Sequence, residues 1–443
     1  MKKEIINLEV VNFHAAGIDI GSKSHYAAVG QNLNDVKEFG ISHSEHLKLI
    51  TFLKEHQIRT IAMESTGSYW QSLFLVLSDE GFEVLLIPGS QVKNFRKTDV
   101  KDARHIQQLH TLGLLKSCFL PDIFTLKIRE LARHRKSLIQ DSSRYVNRMQ
   151  KCLRLMNLRL DIVINDITGV SGKAIISAIL KGERNPNVLA SLADARIKKP
   201  KEQIADALYG NFQPELLYEL NDNWDLYNFV QQKIKKIDDE ISQMLEKCTE
   251  HIPFDQNIQL AKKQLKGKNQ PRFEIQKLSY KLFEVDLSAI VGVSTNTLLT
   301  FVSEIGTSLD KFENAKAFVS WLRLTPNNKI TGGKVVSSKT PKGKNILASA
   351  LRDAANVIGN QKQGHLTNFF KKIGLKKGRG AAITATARKL ATILFNMITK
   401  KMEYKPELPK HIQEKITEKA IRKAKETMIK HGFIVVDSQG VIV

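Results

Sequence analysis

The first regular pattern of hydrophobic and polar positions begins at Ala15. An apolar run from Ala15 to Ile20 is interrupted only by Asp19, and after a Gly-Ser turn a second run extends from His25 to Val29. Two short apolar runs joined by a tight turn predict a buried β-hairpin. Because an ionised carboxylate in such a strand is costly unless positive charge meets it, Asp19 is expected to bind a cation. The alternative is that Asp19 caps the Gly-Ser turn.

The alternation of strands and helices continues to residue 117. Val36 to Ile41 predicts a third strand, His43 to Gln57 a helix, and Thr60 to Glu64 a fourth, buried strand. An amphipathic helix through Trp70, Leu73 and Leu77 and a strand from Glu83 to Ile87 follow. Three hairpin-type strands followed by alternating helices and strands are the order of a ribonuclease-H-like α/β domain.

Four acidic residues are the candidate catalytic and metal-binding residues of this domain. Asp19 and Glu64 would lie side by side if the first and fourth strands pair. Asp99 and Asp102 are three positions apart in the first turn of a helix that Thr98 is placed to cap, so they share one face. Acidic residues in a first turn also favour the helix dipole, and this is the alternative for the second pair. Since Mg2+ prefers carboxylate oxygens, we predict a site for Mg2+ (or Mn2+).

The strand pattern ends near residue 121, and helical patterns follow. A long basic helix is predicted over 122–165, and residues 262–273, which are basic and polar, are predicted to be a linker. Between them, apolar side chains recur at three-four spacing at Tyr227, Val230, Ile234, Ile237, Ile241 and Met244. This spacing is typical of a coiled-coil seam. We expect the seam to pair with the 122–165 helix and also with a second copy of the chain.

A second domain is predicted to start near Leu282. Residues 290–306, with glycines at 292 and 306, have the pattern of a helix, a glycine-containing hairpin and a helix. Such a hairpin presents backbone N–H groups to phosphates without reading bases. A plain helical turn fits the same pattern.

Charge favours nucleic acid as the partner of this second domain. The 443 residues carry a formal net charge of +23, and a chain this basic most often binds a polyanion. Between Trp321 and Lys400 the only acidic residue is Asp353, whereas a solvated surface normally mixes both signs. The predicted nucleic-acid-binding residues are Lys329, Lys334, Ser337, Ser338, Lys339, Lys342, Lys344, Arg379, Arg388 and Lys389.

The remaining composition fits a cytoplasmic protein. The N-terminus lacks the apolar core of a signal peptide, and no apolar stretch approaches the length of a membrane span. The three cysteines, Cys118, Cys152 and Cys248, lack metal-ligand spacing, which fits a reducing compartment and argues against an ordinary zinc site. We expect a bacterial, nucleoid-associated protein without a membrane partner.

Asp19, Glu64, Asp99 and Asp102, in that order, resemble the tetrad of a RuvC-like nuclease domain. Three downstream segments resemble the C-terminal domain of the DEDD transposases of the insertion-sequence one-ten family, the bridge-RNA-guided recombinases. These segments are residues 324–334, which contain Thr331-Gly332-Gly333-Lys334, then 337–340, and then 381–390. The resemblance divides the chain into a RuvC-like domain at 10–120, a helical coiled-coil region with its linker at 121–275, a mainly helical transposase domain with a helix-hairpin-helix at 282–404, and a helical tail at 405–443.

The resemblance implies a recombinase that excises and inserts its own element, directed by a structured RNA. In the family, a serine of the second domain attacks the DNA phosphate, and the RuvC-like carboxylates hold Mg2+. This chain has Thr331 where the family usually has that serine, and the β-branch of threonine stiffens the side chain. Thr331 is therefore the predicted nucleophile on position alone; Ser337 or Ser338 could serve instead, or this copy could be impaired. Cutting and joining four strands also implies a dimer or tetramer.

Two other functions fit parts of the sequence. A metal-dependent junction-resolving nuclease would use water and need the four carboxylates but no hydroxyl at 331. A non-catalytic nucleic-acid-binding protein would be equally basic, but it would not be expected to keep all four carboxylates. The chain length and the second basic domain favour the transposase.

Overall fold

The computed structural model describes residues 9–65, 67–92, 98–255, 257–261, 267–406 and 410–434. It separates into two compact units, which divide between Leu120 and Pro121. Some segments discussed above lie outside the described residues: 66 and 93–97 of the first domain, 256 and 262–266 of the helical region and its linker, and 407–409 and 435–443 of the tail.

The first unit contains a five-stranded mixed sheet. Its strands are β1 (Ala15–Ile20), β2 (Ser24–Ala28), β3 (Val36–Gly40), β4 (Thr60–Glu64) and β5 (Glu83–Ile87), in the order β3-β2-β1-β4-β5. The first three strands form an antiparallel meander, and β4 and β5 join parallel to β1. This is the ribonuclease-H-like order that the sequence predicts.

Helices cover both faces of the sheet. They are α1 (His43–Glu55), α2 (Trp70–Asp79) and α3 (Asp99–Thr111). Ile18 and Met63 belong to one apolar core with the buried side chains of α1 and α2. Ala62 belongs to a second core with Ile106 of α3. Since side chains alternate between the faces of a strand, α3 covers the face opposite to α1 and α2.

The second unit begins with two long helices that pack against each other. Its first six helices are α4 (Ile123–Leu155), α5 (Leu160–Val163), α6 (Val170–Leu180), α7 (Pro186–Ser191), α8 (Lys201–Ala207) and α9 (Pro214–Cys248). Tyr227, Ile234 and Ile241 of the predicted seam are buried, and α9 packs along α4. A buried ion pair also joins the two helices, because Arg135 Nε of α4 lies 2.6 Å from an Asp238 carboxylate oxygen of α9. The seam therefore forms the intramolecular contact that was expected.

The rest of the second unit is mainly helical. Its elements are α10 (Ile275–Phe283), α11 (Thr295–Ile305), α12 (Ala315–Trp321), β6 (Lys329–Thr331), β7 (Lys334–Ser337), α13 (Ile346–Gly359), α14 (His365–Lys377), α15 (Arg379–Lys400) and α16 (Lys410–Lys430). Ser294 caps α11 by accepting a hydrogen bond from the Thr297 amide. Within the predicted helix-hairpin-helix, Gly292 has a φ of 86°, and a side chain there would approach the Ala354 carbonyl of α13 to 2.5 Å. None of the described helices has both the length and the apolar character that a membrane crossing requires.

Candidate metal centre and nucleic-acid interface

Asp19 and Glu64 stand at neighbouring positions of the sheet. In the parallel pair of β1 and β4, Gly17 aligns with Ala62 and Ile18 with Met63, so the next residues of the two strands are Asp19 and Glu64. Both side chains point away from the core of α1 and α2, and both are half-buried. A glycine at position 89 leaves room for the Glu64 carboxylate, which a Cβ at that position would meet. The strand pairing therefore places two carboxylates side by side at the end of two strands.

The helix α3 brings the other two acidic residues to the same edge. Val11 and Asn12, just before β1, donate their amides to the Thr111 carbonyl at 2.9 and 3.0 Å, respectively. Further along β1, Gly17 lies so close to α3 that a Cβ there would be 2.6 Å from the Ala103 carbonyl oxygen. The helix thus runs antiparallel to β1, and its first turn lies toward Asp19.

The first turn of α3 is the acidic one. Thr98 accepts a hydrogen bond from the Lys101 amide at 3.4 Å and caps the helix, as the sequence predicts. Asp99 is exposed and Asp102 is half-buried. The backbone therefore places the first turn of α3, with Asp99 and Asp102, on the same side of the sheet as Asp19 and Glu64. Among the described residues, however, no three histidine, cysteine or acidic side chains are placed closely enough to hold a metal ion.

A tyrosine and a fifth carboxylate extend this acidic edge, and the sequence reasoning missed both. Tyr26 of β2 is paired with Asp19 on one side and with Glu38 of β3 on the other. The pKa of Tyr26 is raised, chiefly by its hydrogen bond to Glu38, and the charge of Asp99 contributes. The register of the predicted hairpin could have placed Tyr26 beside Asp19, because residues paired across two strands face the same side of the sheet.

Thr331 lies at the tip of the β6–β7 hairpin in the second unit. Gly332 and Gly333, with φ of 54° and 74°, form the two-residue turn, and Thr331 is paired with Lys334 across it. Positive φ at both central positions is the geometry that glycine adopts without strain in such hairpins. Thr331, Lys334 and both glycines are exposed. The fold therefore presents a hydroxyl with a lysine on the neighbouring strand, where paired Cβ atoms are about 5 Å apart.

The other predicted residues of this region lie in the strands of the hairpin and in the loop that follows it. Ser337 ends β7 and is half-buried, whereas Ser338, Lys342 and Lys344 are exposed in the loop before α13. The loop is tied to the preceding segment, because the Asn327 amide donates to the Lys339 carbonyl at 2.9 Å and Arg323 donates to the Lys342 carbonyl. Lys329 of β6 is also exposed. The described lysines of the hairpin and its loop therefore form an exposed basic surface.

The three predicted cations of α15 have different surroundings. Arg388 is exposed, and Arg379 donates hydrogen bonds to the side chains of Asn356 and Asn360 at 2.6 and 2.7 Å. Lys389 is partly buried, with its Nζ 2.9 Å from His365 Nε2 and 4.7 Å from the centre of the Phe369 ring. Burial lowers the pKa of Lys389. Arg388 is thus the most available of the three for a phosphate.

Two family models match the chain. A transposase model for DEDD enzymes of the IS110 type matches residues 16–158, and a model described as the transposase IS116/IS110/IS902 family matches residues 286–371. Together the matches span more than half of the chain. The first contains all four predicted carboxylates, and the second contains the hairpin with Thr331. Comparison with curated proteins finds no match.

Proposed function

Since this chain belongs to the IS110 family of DEDD transposases, we propose that it cuts and rejoins the DNA of its own insertion sequence under the direction of a structured RNA. In this proposal the acidic residues of the first unit hold Mg2+. The Thr331 hydroxyl of the second unit is the nucleophile. The single observation that carries the metal assignment is the strand pairing that sets Asp19 beside Glu64.

The donor set suits a hard divalent cation. The residues that would hold it are Asp19, Glu64, Asp99 and Asp102, and carboxylate oxygens are the ligands that Mg2+ selects. When bound, such ions stabilise the negative charge on the attacking and leaving oxygens of a phosphoryl transfer. The protein supplies a firm platform, because Asp19 and Glu64 stand on central strands and α3 packs directly on β1.

Thr331 is proposed as the nucleophile because the hairpin exposes it beside a cation. Its Oγ1 would form a bond to phosphorus while the bond from phosphorus to the leaving strand oxygen breaks; the hydroxyl loses a proton, and the leaving oxygen gains one. Lys334, across the turn, is placed to attract the phosphate. A covalent protein–DNA link keeps the phosphodiester energy, so the strands can be rejoined without a nucleotide cofactor.

Nucleic acid would be held by the basic surface of the second unit. Lys329, Lys334, Lys339, Lys342, Lys344 and Arg388 supply the charge, with Arg379, Lys389, Ser337 and Ser338 beside them. Because each phosphate contact releases counterions, binding of DNA and of the guide RNA should weaken steeply with salt.

Self-association into a dimer or tetramer is part of the proposal. The apolar seam of α9 is buried against α4 within one chain, so a second copy would meet other side chains of the coiled coil. Light scattering on the protein with and without RNA measures the number of copies directly.

Trapping of covalent protein–DNA adducts tests the proposal. Wild-type protein is incubated with its RNA, Mg2+ and a labelled DNA site, beside Thr331→Ala, Thr331→Ser and the double variant Ser337→Ala/Ser338→Ala. We expect adducts with the wild type, with Thr331→Ser and with the double serine variant, but none with Thr331→Ala.

Other outcomes would identify a different enzyme. Loss of the adduct only in the double serine variant would move the nucleophile to Ser337 or Ser338. Cleavage without any adduct would make the protein a hydrolytic, junction-resolving nuclease. Adducts that form equally well without RNA would exclude RNA guidance.

A further inference from the structure

A basic cavity lies in the helical region between the segments that the family models match. Its volume is about 570 Å3, and its lining includes Lys173 of α6, Tyr227 and Gln231 of α9, and Lys268 and Arg272 of the segment before α10. Most of the described part of the predicted linker therefore forms one wall of this cavity, with Gly267, Lys268, Gln270, Pro271 and Arg272.

The floor of the cavity is an aromatic ring with cations around it. Tyr227 is 1% exposed, and its ring centre is 5.4 Å from Lys268 Nζ and 5.7 Å from Lys173 Nζ. Burial lowers the pKa of Lys268, and the nearby charge of Lys173 lowers it further against the opposite effect of Asp166. Two lysines are thus held close enough to repel each other.

Much of this positive charge is not neutralised within the protein. Asp166 accepts hydrogen bonds from the Thr168 amide and hydroxyl at 2.9 and 2.7 Å and lies 3.6 Å from Lys268 Nζ. The Arg272 side chain donates to Gln231 at 3.0 Å. Asp238 accepts a hydrogen bond from the Arg272 amide at 3.3 Å and interacts with its charge, but its ion pair is with Arg135. The ion pairs of the described residues include neither the Lys173 nor the Arg272 side chain.

A second cavity adjoins the first. Its volume is about 740 Å3, it shares Asp166 and Gly169 with the first cavity, and it is also lined by Lys198 and Lys199. Its other acidic residue, Asp194, accepts hydrogen bonds from two guanidinium nitrogens of Arg196, Nε and Nη2, each at 2.9 Å. The described ion pairs include neither Lys198 nor Lys199. Basic side chains without a carboxylate partner therefore line two consecutive depressions.

The helix α6 begins where the two cavities meet. Its N-cap is Gly169, its first turn contains no acidic residue, and Lys173 follows directly after that turn. A cation near a helix N-terminus opposes the helix dipole, and an anion bound there would offset both unfavourable charges. The end of α6 therefore favours an anion at the junction of the two cavities.

We propose that the two cavities form a binding track for the phosphodiester backbone of a nucleic-acid strand, with Lys173 and Arg272 contacting one phosphate region and Lys198 and Lys199 the next. A strand suits the two adjoining depressions better than a single small anion. The residues of the track are neither the four carboxylates nor those of the β6–β7 hairpin, and its binding of a strand does not depend on strand cleavage. Guide RNA and DNA share this phosphate chemistry.

Salt dependence of binding tests the track. The plot of log K against log salt has a negative slope, and each lost phosphate contact makes it less steep by about 0.7 for a single strand. The affinity for a labelled 20-nucleotide single-stranded RNA, for DNA of the same sequence and for duplex DNA is measured over a salt series in EDTA. The variants are Lys173→Gln/Arg272→Gln and Lys198→Gln/Lys199→Gln.

Two control variants test whether an effect on binding requires the cavity positions or only the loss of positive charge. Lys235→Gln/Lys236→Gln removes the same charge from exposed positions of α9 that line neither cavity, and Lys173→Arg/Arg272→Lys keeps the charge of the first cavity. Thermal unfolding confirms that all four are folded.

We expect each track variant to make the salt slope less steep by about 1.4 with at least one of the single strands. The affinity for that strand should fall about tenfold. Both control variants should keep the wild-type slope. An effect limited to RNA or to DNA identifies the source of the strand. Equal slopes for the track variants and the α9 control would overturn the track. Because the salt series measures binding and not cleavage, the absence of a covalent protein–DNA adduct would not contradict the track.

Discussion

Asp19 and Glu64 are the next residues after the last aligned pair of two parallel strands, and both face the side of the sheet that α3 covers. Carboxylate oxygens at adjacent strand positions can ligate one hard cation together, and this is the basis of the proposed Mg2+ site. The same edge receives the acidic first turn of α3, and Tyr26 stands across from Asp19.

Replacing Asp19 with asparagine should stop DNA strand cleavage while leaving binding largely intact. The side chain keeps its shape but loses the charge that a metal ion needs. Because changes outside the ligand shell of a metal already cost about 10- to 100-fold, loss of a ligand should reduce the cleavage rate by at least about 100-fold. Cleavage and affinity for labelled DNA are measured in parallel, and Glu55→Gln, at an exposed position of α1, is the control.

Asp102→Asn should reduce strand cleavage in the same way, because the first turn of α3 lies toward the same edge of the sheet. Full cleavage by either variant, or by the wild type in EDTA, would contradict the metal role.

Mg2+ should raise the thermal unfolding temperature of the wild-type protein in the absence of nucleic acid. A ligand that binds only the folded state stabilises it by about 2.7 kcal/mol at 100 times its dissociation constant. The double variant Asp19→Asn/Glu64→Gln should show no such increase, because its two carboxylates are gone.

Excess EDTA should return the wild type to its metal-free unfolding temperature. An equal response of wild type and double variant to Mg2+ would show that the ion binds elsewhere.

Much of the first unit could be predicted from the sequence because its signals are local. Strands such as Thr60–Glu64 are short apolar runs bounded by turns, and the structure has the same bounds. The cap at Thr98 and the spacing of Asp99 and Asp102 are also local features. The proximity of Asp19 and Glu64 required only one further assumption, that their strands pair.

Features that depend on long-range packing could not be predicted. Tyr26 joins the acidic edge through the register of two strands. The basic cavity combines Lys173, Tyr227 and Lys268, which come from three distant segments, two of them with weak patterns. Arg135 and Asp238 resemble solvated charges of a helix surface in the sequence, yet they are 3% and 1% exposed. Burial of a paired charge leaves no trace in hydrophobic periodicity.

Removal of one partner of the Arg135–Asp238 pair should strongly destabilise the second unit. The remaining charge would be buried without its counter-ion, which costs about 3–5 kcal/mol in comparable pairs. Arg135→Ala should therefore lower the denaturant midpoint markedly, whereas Arg144→Ala, which breaks an exposed pair with Asp141, should cost about 0–1 kcal/mol.

The double replacement Arg135→Met/Asp238→Leu should recover most of the lost stability, because it removes both charges and keeps an apolar contact. Equal decreases of the denaturant midpoint in Arg135→Ala and Arg144→Ala would show that loss of the buried pair costs no more stability than loss of the exposed pair.

The first unit should lose stability on mild acidification because of two stacked histidines. His25 and His46 have ring centres 5.6 Å apart, and the buried His25 Nδ1 has no hydrogen-bond partner among the described residues. Burial, followed by the charge of His46, lowers the pKa of His25 from 6.5 to about 4. The pKa of His46 is also lowered, chiefly by burial.

The sign follows from proton linkage. Between pH 6.5 and about 4 the unfolded chain binds a proton at His25 that the folded unit does not, so the free energy of unfolding falls as the pH falls through this window. Above pH 6.5 the histidine is neutral in both states, and its contribution is constant.

His25→Gln should flatten the pH dependence of the unfolding temperature between pH 7 and pH 5 relative to the wild type, because glutamine does not titrate (about one proton fewer is taken up on unfolding). His14→Gln, at an exposed position just before β1, is the matched control and should leave the profile of the wild type unchanged. Carboxylates contribute equally to all three proteins, so the difference between the profiles isolates the buried ring. A His25→Gln profile as steep as that of the wild type would mean that the folded unit protonates His25 as readily as the unfolded chain does.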